Sequence, residues 1–203
     1  LGVRVVYAMF CQTRLVLLFA LIGFLMSNAF SQGVDFLEDD WENPAVFEKG
    51  QYLPHTFVIP YSSAKDALEN KEADCENYQL LNGVWKFKWV EVPAFVPDGF
   101  RKEDYNVSDW DDIQVPSNWQ MVGYGHPKFR NIALTFESDP PNIPDYYNPT
   151  GCYKRKISIP EGWEDKEVFL RFEGIKSASY VWLNGKKVGY NQGGFEPAEY
   201  NIT

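Results

Sequence analysis

Histidine is nearly absent: His55 and His126 are the only two in 203 residues. They lie far apart in sequence and neither adjoins a serine nucleophile motif, so no Ser-His-Asp arrangement is supported. Each is expected to be a loop residue hydrogen-bonded to backbone. Cysteine is scarce as well, and Cys11, Cys75 and Cys152 show no C-x-x-C spacing, which makes the case for a zinc site weak. Gly123-Tyr124-Gly125 lacks the G-K-S/T or the helix that a phosphate loop requires. Positive charge is outnumbered, 19 Lys and Arg against 28 Asp and Glu for a formal net charge of −9. Such a surface repels nucleic acid and anionic membrane.

Long apolar runs are missing with one exception near the amino terminus. After Arg14 come the uninterrupted apolar Leu15 to Met26, then the small and polar Ser27-Asn28-Ala29-Phe30-Ser31. The run is shorter than the roughly 20 residues that cross a bilayer, so no membrane span is expected. The order of basic, apolar and small residues is that of a secretory signal peptide with cleavage after Ser31. Residues 1–31 are therefore set outside the fold, and an exported, periplasmic or extracellular, product is expected. Met9 stands just ahead of the apolar run, which makes residues 1–8 a candidate upstream extension. Losing Arg4 and Arg14 and no acid moves the formal charge from −9 to −11. Cys75 and Cys152 then remain; they are read as two free, partly buried thiols, with pairing in an oxidising compartment as the alternative.

What the sequence does contain is aromatic residues, 17% of the chain with seven tryptophans, enough for a real core. A domain of this size buries about 70% of the surface its unfolded chain exposes. Residues 32–77 are acidic and broken by Pro44, Pro54 and Pro60. They read as an extended arm, either laid over another part of the structure or solvated. A helical turn or two over Ser62 to Leu68 is expected inside the arm, capped by Ser62 or Ser63.

Strand signals begin with Leu80 to Val90, where Trp85, Phe87 and Trp89 alternate with Val84, Lys86 and Lys88, giving one aromatic buried face. Further strands are expected over Asp109–Val115, Tyr153–Ile159, Glu167–Glu173 and Ala178–Leu183, with a last one begun at Glu199–Thr203. Asn184-Gly185, leading into Lys186–Tyr190, is the strongest hairpin signal. Short strands separated by proline and glycine make residues 78–203 an all-β sandwich or jelly roll rather than a set of βαβ units. Between the strands, Ser117 to Gly151 forms a long loop rich in Pro, Asn, Tyr and Gly. A loop of that length is either functional or packed on a neighbouring domain.

Hydrolysis of a glycoside needs two carboxylates facing each other across the sugar. Glu173, Glu196 and Glu199 lie near expected strand ends, and each is read as solvated surface rather than catalytic. No catalytic residue is assigned to this chain.

Five strings form a pattern in the order they occur: Asp40-Trp41-Glu42-Asn43-Pro44, Leu81-Asn82-Gly83-Val84-Trp85-Lys86-Phe87, Val115-Pro116-Ser117-Asn118-Trp119-Gln120-Met121, Tyr147-Asn148-Pro149-Thr150-Gly151-Cys152-Tyr153, and Asn184-Gly185-Lys186-Lys187-Val188-Gly189-Tyr190. Together they closely resemble the amino-terminal part of family 2 β-galactosidases, from about Asp40 to Thr203. The resemblance implies a jelly-roll sugar-binding domain, cut short at its carboxyl end. In the complete enzyme it would be followed by an immunoglobulin-like domain and a (β/α)₈ barrel that carries two catalytic glutamates. A barrel takes about 250 residues and does not fit in this chain.

The same resemblance implies a retaining hydrolysis of terminal β-galactosides, assisted by magnesium and often sodium in the full enzyme, with no cofactor bound by this part. It aligns Pro127–Ile132 with a loop that reaches the galactose pocket and makes Asn131 the substrate-binding residue, an amide able to donate and accept. Without the resemblance, Asn131 would be read as a turn stabiliser. It departs from the family at Gly193, where some members carry an aspartate that helps hold sodium and sugar. It also implies that the arm near Trp41–Pro44 joins subunits of a homo-oligomer. Two other readings stand beside it, a free-standing carbohydrate-binding module and the front of a family 2 β-glucuronidase or β-mannosidase.

Overall fold

The computed structural model describes residues 2–9, 40–127 and 139–203. Among them ten strands form three antiparallel sheets. They are β1 (Gly2–Met9), β2 (Glu48–Lys49), β3 (Tyr78–Gln79), β4 (Gly83–Val90), β5 (Asp111–Val115), β6 (Thr150–Lys154), β7 (Glu167–Gly174), β8 (Ser179–Leu183), β9 (Lys186–Asn191) and β10 (Ala198–Asn201). The sheet orders are β10-β7-β1-β3, β2-β9-β8 and β5-β4-β6. The all-β sandwich expected from the strand spacing is the architecture found.

One core joins the three sheets. It takes Phe87, Ile113 and Val115 from the β5-β4-β6 sheet, Val168, Leu170, Phe172, Ala198 and Tyr200 from β7 and β10, and Val181 from β8, with Leu81 and Trp163 from flanking turns. Trp85 and Trp89 pack against it from either side of Phe87, so the aromatic face of β4 points inward as its alternation predicts. β7 is buried from Val168 to Phe172 without a break, the pattern of a strand covered on both faces.

The β8–β9 hairpin turns on Asn184 and Gly185, whose φ values of 50° and 77° are the two left-handed positions of a type I′ turn. The helix α1 runs Ala64–Glu69, capped by the Ser63 hydroxyl accepting from the Asp66 N–H at 3.1 Å. β6 departs from its expected span, starting three residues earlier and ending at Lys154. It pairs with β4 from Val90↔Thr150 to Lys86↔Lys154. Beyond that point the Arg155 guanidinium donates to the carbonyls of Leu81 and Asn82, just ahead of β4.

The arm lies over the sandwich. β2 pairs with β9, the Tyr52 N–H donates to the Glu199 carbonyl at 2.7 Å, and Phe57, Ile59 and Tyr61 cover Cys75, Tyr78 and Phe169. β2 can lie flush because position 189 is glycine: a Cβ there would overlap both the Tyr200 ring and the Lys49 carbonyl. Cys75 and Cys152 are free and buried in different clusters. Burial pushes the Cys152 thiol up to about 12, which keeps it protonated and unreactive.

β1 falls within residues 1–31, which the sequence sets outside the domain, and here it occupies a place in the sheet between β7 and β3. The apolar run Leu15 to Met26 and the cleavage point after Ser31 lie outside the described residues. No helix among the described residues is long and apolar enough to cross a membrane.

Candidate functional site

The long loop leaves β5 at Val115 and returns to β6 at Thr150. Asn131, the residue implicated in substrate contact, lies outside the described residues. What the structure shows is how the two ends of this loop are fixed.

The outgoing end is an aromatic foot. Trp119 begins a 3₁₀ turn, Trp119–Val122, closed by the Tyr124 N–H donating to the Trp119 carbonyl at 3.1 Å. Phe87, fully buried, meets Trp119 at 5.9 Å, Tyr124 at 4.8 Å and Tyr153 at 4.7 Å between ring centroids. Tyr124 is oriented by its hydroxyl donating to Asp111 Oδ2 at 2.8 Å. Burial, together with this carboxylate, raises its pKa. Gly151 completes the foot, since a Cβ there would overlap the Trp119 ring and crowd Phe87. Three of the recurring strings, those containing Phe87, Trp119 and Gly151, thus meet at one point.

The returning end is polar. Asn142 is turned back on Asp139 by backbone and side-chain bonds of 2.8 and 3.0 Å. The Ile143 N–H donates to Glu42 Oε1 of the arm at 2.8 Å, and the Asn148 N–H donates to the Glu91 carbonyl at 3.0 Å. The arm therefore buttresses the loop.

The arm is itself pinned through Asp40. That buried carboxylate accepts from Lys49 at 2.7 Å and from the Tyr180 hydroxyl at 3.1 Å, with Lys187 at 4.0 Å, while its backbone carbonyl accepts from Gln192 at 3.1 Å. Burial first, and the Asp40 charge second, hold the Tyr180 hydroxyl far above its ordinary pKa. The string around Trp41 and the hairpin string ending at Tyr190 are brought together here, with Trp41 edge-on to Tyr180 at 6.2 Å.

The three glutamates divide. Glu196 is exposed and Glu173 half-buried, but Glu199 is not the solvated surface residue expected, being only 4% exposed. It accepts from Arg171 at 3.2 Å and meets His55 of the arm at 2.9 Å, while Glu173 takes the other edge of the same guanidinium at 3.0 Å. These acids are committed to one buried cation and do not face each other across an open cleft, the arrangement a glycosidase pair needs. Sequence reasoning missed this network, because the partners of Glu199 lie 28 and 144 residues away. His55 bonds the Thr56 carbonyl at 2.9 Å as expected of a loop histidine, with Glu199 as an addition.

Beside the foot lies a cavity of about 190 Å³ lined by Phe87, Lys88, Trp89, Asp109, Trp110, Asp111 and Tyr124. It falls short of the roughly 300–1,000 Å³ of ordinary ligand sites. Among the described residues no group of three or more His, Cys, Asp or Glu is placed to hold a metal.

The described residues form an antiparallel β-sandwich whose long loop is anchored at both ends. Residues 78–203 match the family described as glycosyl hydrolases family 2, sugar binding domain, and the chain belongs to that family. A β-galactosidase of Priestia megaterium is 37% identical over 169 residues, covering 81% of this chain and 16% of the relative. That of Vibrio vulnificus strain CMCP6 is 39% identical over 165 residues, again 81% and 16%, and that of Psychromonas ingrahamii is 37% identical over 164. The chain thus spans about one sixth of the length of these relatives.

Proposed function

We propose that this chain is the amino-terminal part of an exported β-galactosidase that hydrolyses terminal non-reducing β-D-galactosides with retention, and that its long loop forms one wall of the galactose pocket. The observation that carries this reading is the similarity to β-galactosidases at 37–39% identity over 81% of the chain, joined to a loop fixed at both ends. The acid/base and the nucleophile belong to a barrel elsewhere in the longer protein, so the 203 residues alone are inactive. Asn131 donates to and accepts from sugar hydroxyls.

Magnesium, and sodium where it is used, are held outside this chain. The position where some relatives add a carboxylate is Gly193, and Asn191 beside it has its Oδ1 engaged by the Gly193 N–H at 3.0 Å and Gln51 at 2.8 Å. These residues do not fit a sodium site. The arm supports assembly of a homo-oligomer, and deleting residues 33–50 from the complete protein should disturb both its oligomeric state and its activity.

The test is Asn131→Ala in the complete protein, assayed on a chromogenic β-galactoside. A fall in kcat/KM of roughly tenfold to a hundredfold is expected for a lost hydrogen-bonding amide at a substrate. Unchanged kcat/KM would leave the loop as scaffold only. Turnover of the galactoside by the 203-residue chain at enzyme-like rates would overturn the whole reading.

A further inference from the structure

β4 is paired unequally on its two sides. With β6 it pairs as far as Val90↔Thr150, but with β5 only as far as Phe87↔Asp111, so Lys88, Trp89 and Val90 run on past the start of β5. Trp110, the residue that would next face β4, is turned out of the ladder. Its N–H donates to the Val107 carbonyl at 3.1 Å and its own carbonyl accepts from Lys86 Nζ at 3.4 Å. Its ring is held by Phe100 and Tyr105, with centroids 5.8 and 6.0 Å away. The gap in the sheet is therefore built by packing and is not a frayed strand end. Tyr124 borders it from the loop side, its ring edge-on to Phe87 at 4.8 Å and its hydroxyl donating to Asp111 Oδ2 at 2.8 Å. The result is the cavity of about 190 Å³ beside the foot.

The chemistry of its wall narrows what can occupy it. Asp109 and Asp111 supply carboxylates, Lys88 an ammonium, and Phe87, Trp89 and Tyr124 aromatic surface. Among the described residues Asp109 and Lys88 enter no salt bridge, and Asp111 keeps its Oδ1 uncommitted. The buried indole N–H of Trp89 has no acceptor among them. An anion would face two carboxylates in a chain of net charge −9. A cation would face Lys88. An apolar ligand would strip water from all three charges and replace none of it. A hydroxyl both donates and accepts, so a neutral polyhydroxylated ring meets both signs of charge, and its C–H face suits the aromatic walls. At about 30 Å³ of liquid volume per water the cavity holds about six waters, the space of one sugar ring and not of a chain.

We propose that the notch between β4 and residues 109–111 is a binding site for a single neutral pyranose unit. Asp109 and Asp111 accept from its hydroxyls, Lys88 and the Trp89 indole N–H donate to it, and the rings of Phe87 and Tyr124 line its C–H face. The site is made entirely of described residues of this chain and rests neither on Asn131 nor on the hydrolytic reading. A wall with few polar contacts and one open side gives weak affinity, so binding is expected in the millimolar range.

The indole N–H resonances of the isotopically labelled 203-residue chain test this during titration with methyl β-D-galactopyranoside. The chain has seven tryptophans, and only the signals of Trp89 and Trp110, the two that line the cavity, should move, saturably and with a common Kd. Asp109→Ala, at an exposed position, and Lys88→Met, at a half-buried one, should each raise that Kd about threefold to tenfold, the size of one hydrogen bond. The five other indole signals, unmoved by either substitution, show that the fold is kept. Glucuronate should bind more weakly than the neutral sugar. Shifts of all seven indoles in proportion to added sugar, or none that saturate, would overturn the proposal, as would a parent-like Kd in both variants. Glucuronate bound as tightly as the galactoside would show that the carboxylates do not face the ligand and would also overturn it. Tighter binding of tetramethylammonium at the same two signals would assign the cavity to an organic cation instead. Asn131→Ala should leave the Kd as it is, and a Kd raised by that substitution would move the sugar onto the loop and sink the notch. Galactoside turnover does not enter this readout, so its failure is separable from failure of the functional reading.

Discussion

Two irregular segments lie on this sandwich, and they are held by opposite means. The loop foot is a stack of rings, Phe87 with Trp119, Tyr124 and Tyr153. The arm adds charge anchors to its apolar contacts, through Asp40 to Lys49 and through Glu199 to His55 and Arg171. Ring packing is insensitive to pH and salt, and it fixes position through shape. Charge anchors are directional, and their strength depends on protonation and on the burial of the pair. The loop that carries Asn131 is thus set by the rigid device, while the arm buttressing it through Glu42 and Ile143 is set by the tunable one.

The sharpest way to break the comparison is at the foot. Phe87→Ala removes a fully buried ring touching three aromatic neighbours and should cost about 3–5 kcal/mol. Chemical denaturation of the 203-residue chain measures it, and the loss should be the same at pH 6 and pH 9. On the function proposed above, kcat/KM of the complete protein on a β-galactoside should fall further than stability alone explains, because the foot of the long loop moves. Gly151→Ala attacks the same point by crowding Trp119, and overpacking of this kind costs about 1–3 kcal/mol.

Next in size is the arm. Glu199→Gln keeps the shape but leaves Arg171 with Glu173 alone and removes the ionic partner of His55. A loss of about 1.5–3 kcal/mol follows from hydrogen bonds to a buried charge. Unlike Phe87→Ala, this variant should expose the segment around Tyr52 to Phe57 to limited proteolysis before the sandwich unfolds. Equal protease resistance in variant and parent would show that the arm is held by its apolar contacts, Phe57 and Tyr52 on the sandwich, and not by charge.

Legibility in the sequence divides along the same line. The ring side was readable, because alternation at Trp85, Phe87 and Trp89 reports burial of a strand face with period two, and Asn184-Gly185 reports a turn that needs two positive φ values. The charge side was not. Glu199 looks like any acid on a strand, and only the fold brings Arg171 opposite it in register and His55 of the arm onto it. β2, two residues long, has too little sequence to announce a strand. Asn131 was reachable only through the resemblance of whole strings, since a single asparagine in a loop carries no signal beyond a turn.

The smallest expected effect separates the two devices most cleanly. Both ring nitrogens of His55 face oxygen acceptors, Nε2 the Glu199 carboxylate and Nδ1 the Thr56 carbonyl, each at 2.9 Å. Only the doubly protonated imidazolium can donate to both. The Glu199 bond first, and the Thr56 bond second, therefore raise its pKa above the ordinary 6.5. A group whose folded pKa lies above its unfolded value contributes stability that is fully present below the unfolded pKa and is lost as pH rises through the folded one. Arm docking should accordingly weaken as pH rises above the ordinary 6.5 and through the raised pKa, seen as faster hydrogen exchange at Tyr52, which bonds the Glu199 carbonyl, after correction for the intrinsic rate. His55→Ala should flatten that dependence while leaving the foot around Phe87 untouched. A pH dependence that survives the substitution would move the control of the arm away from His55 to another titrating group.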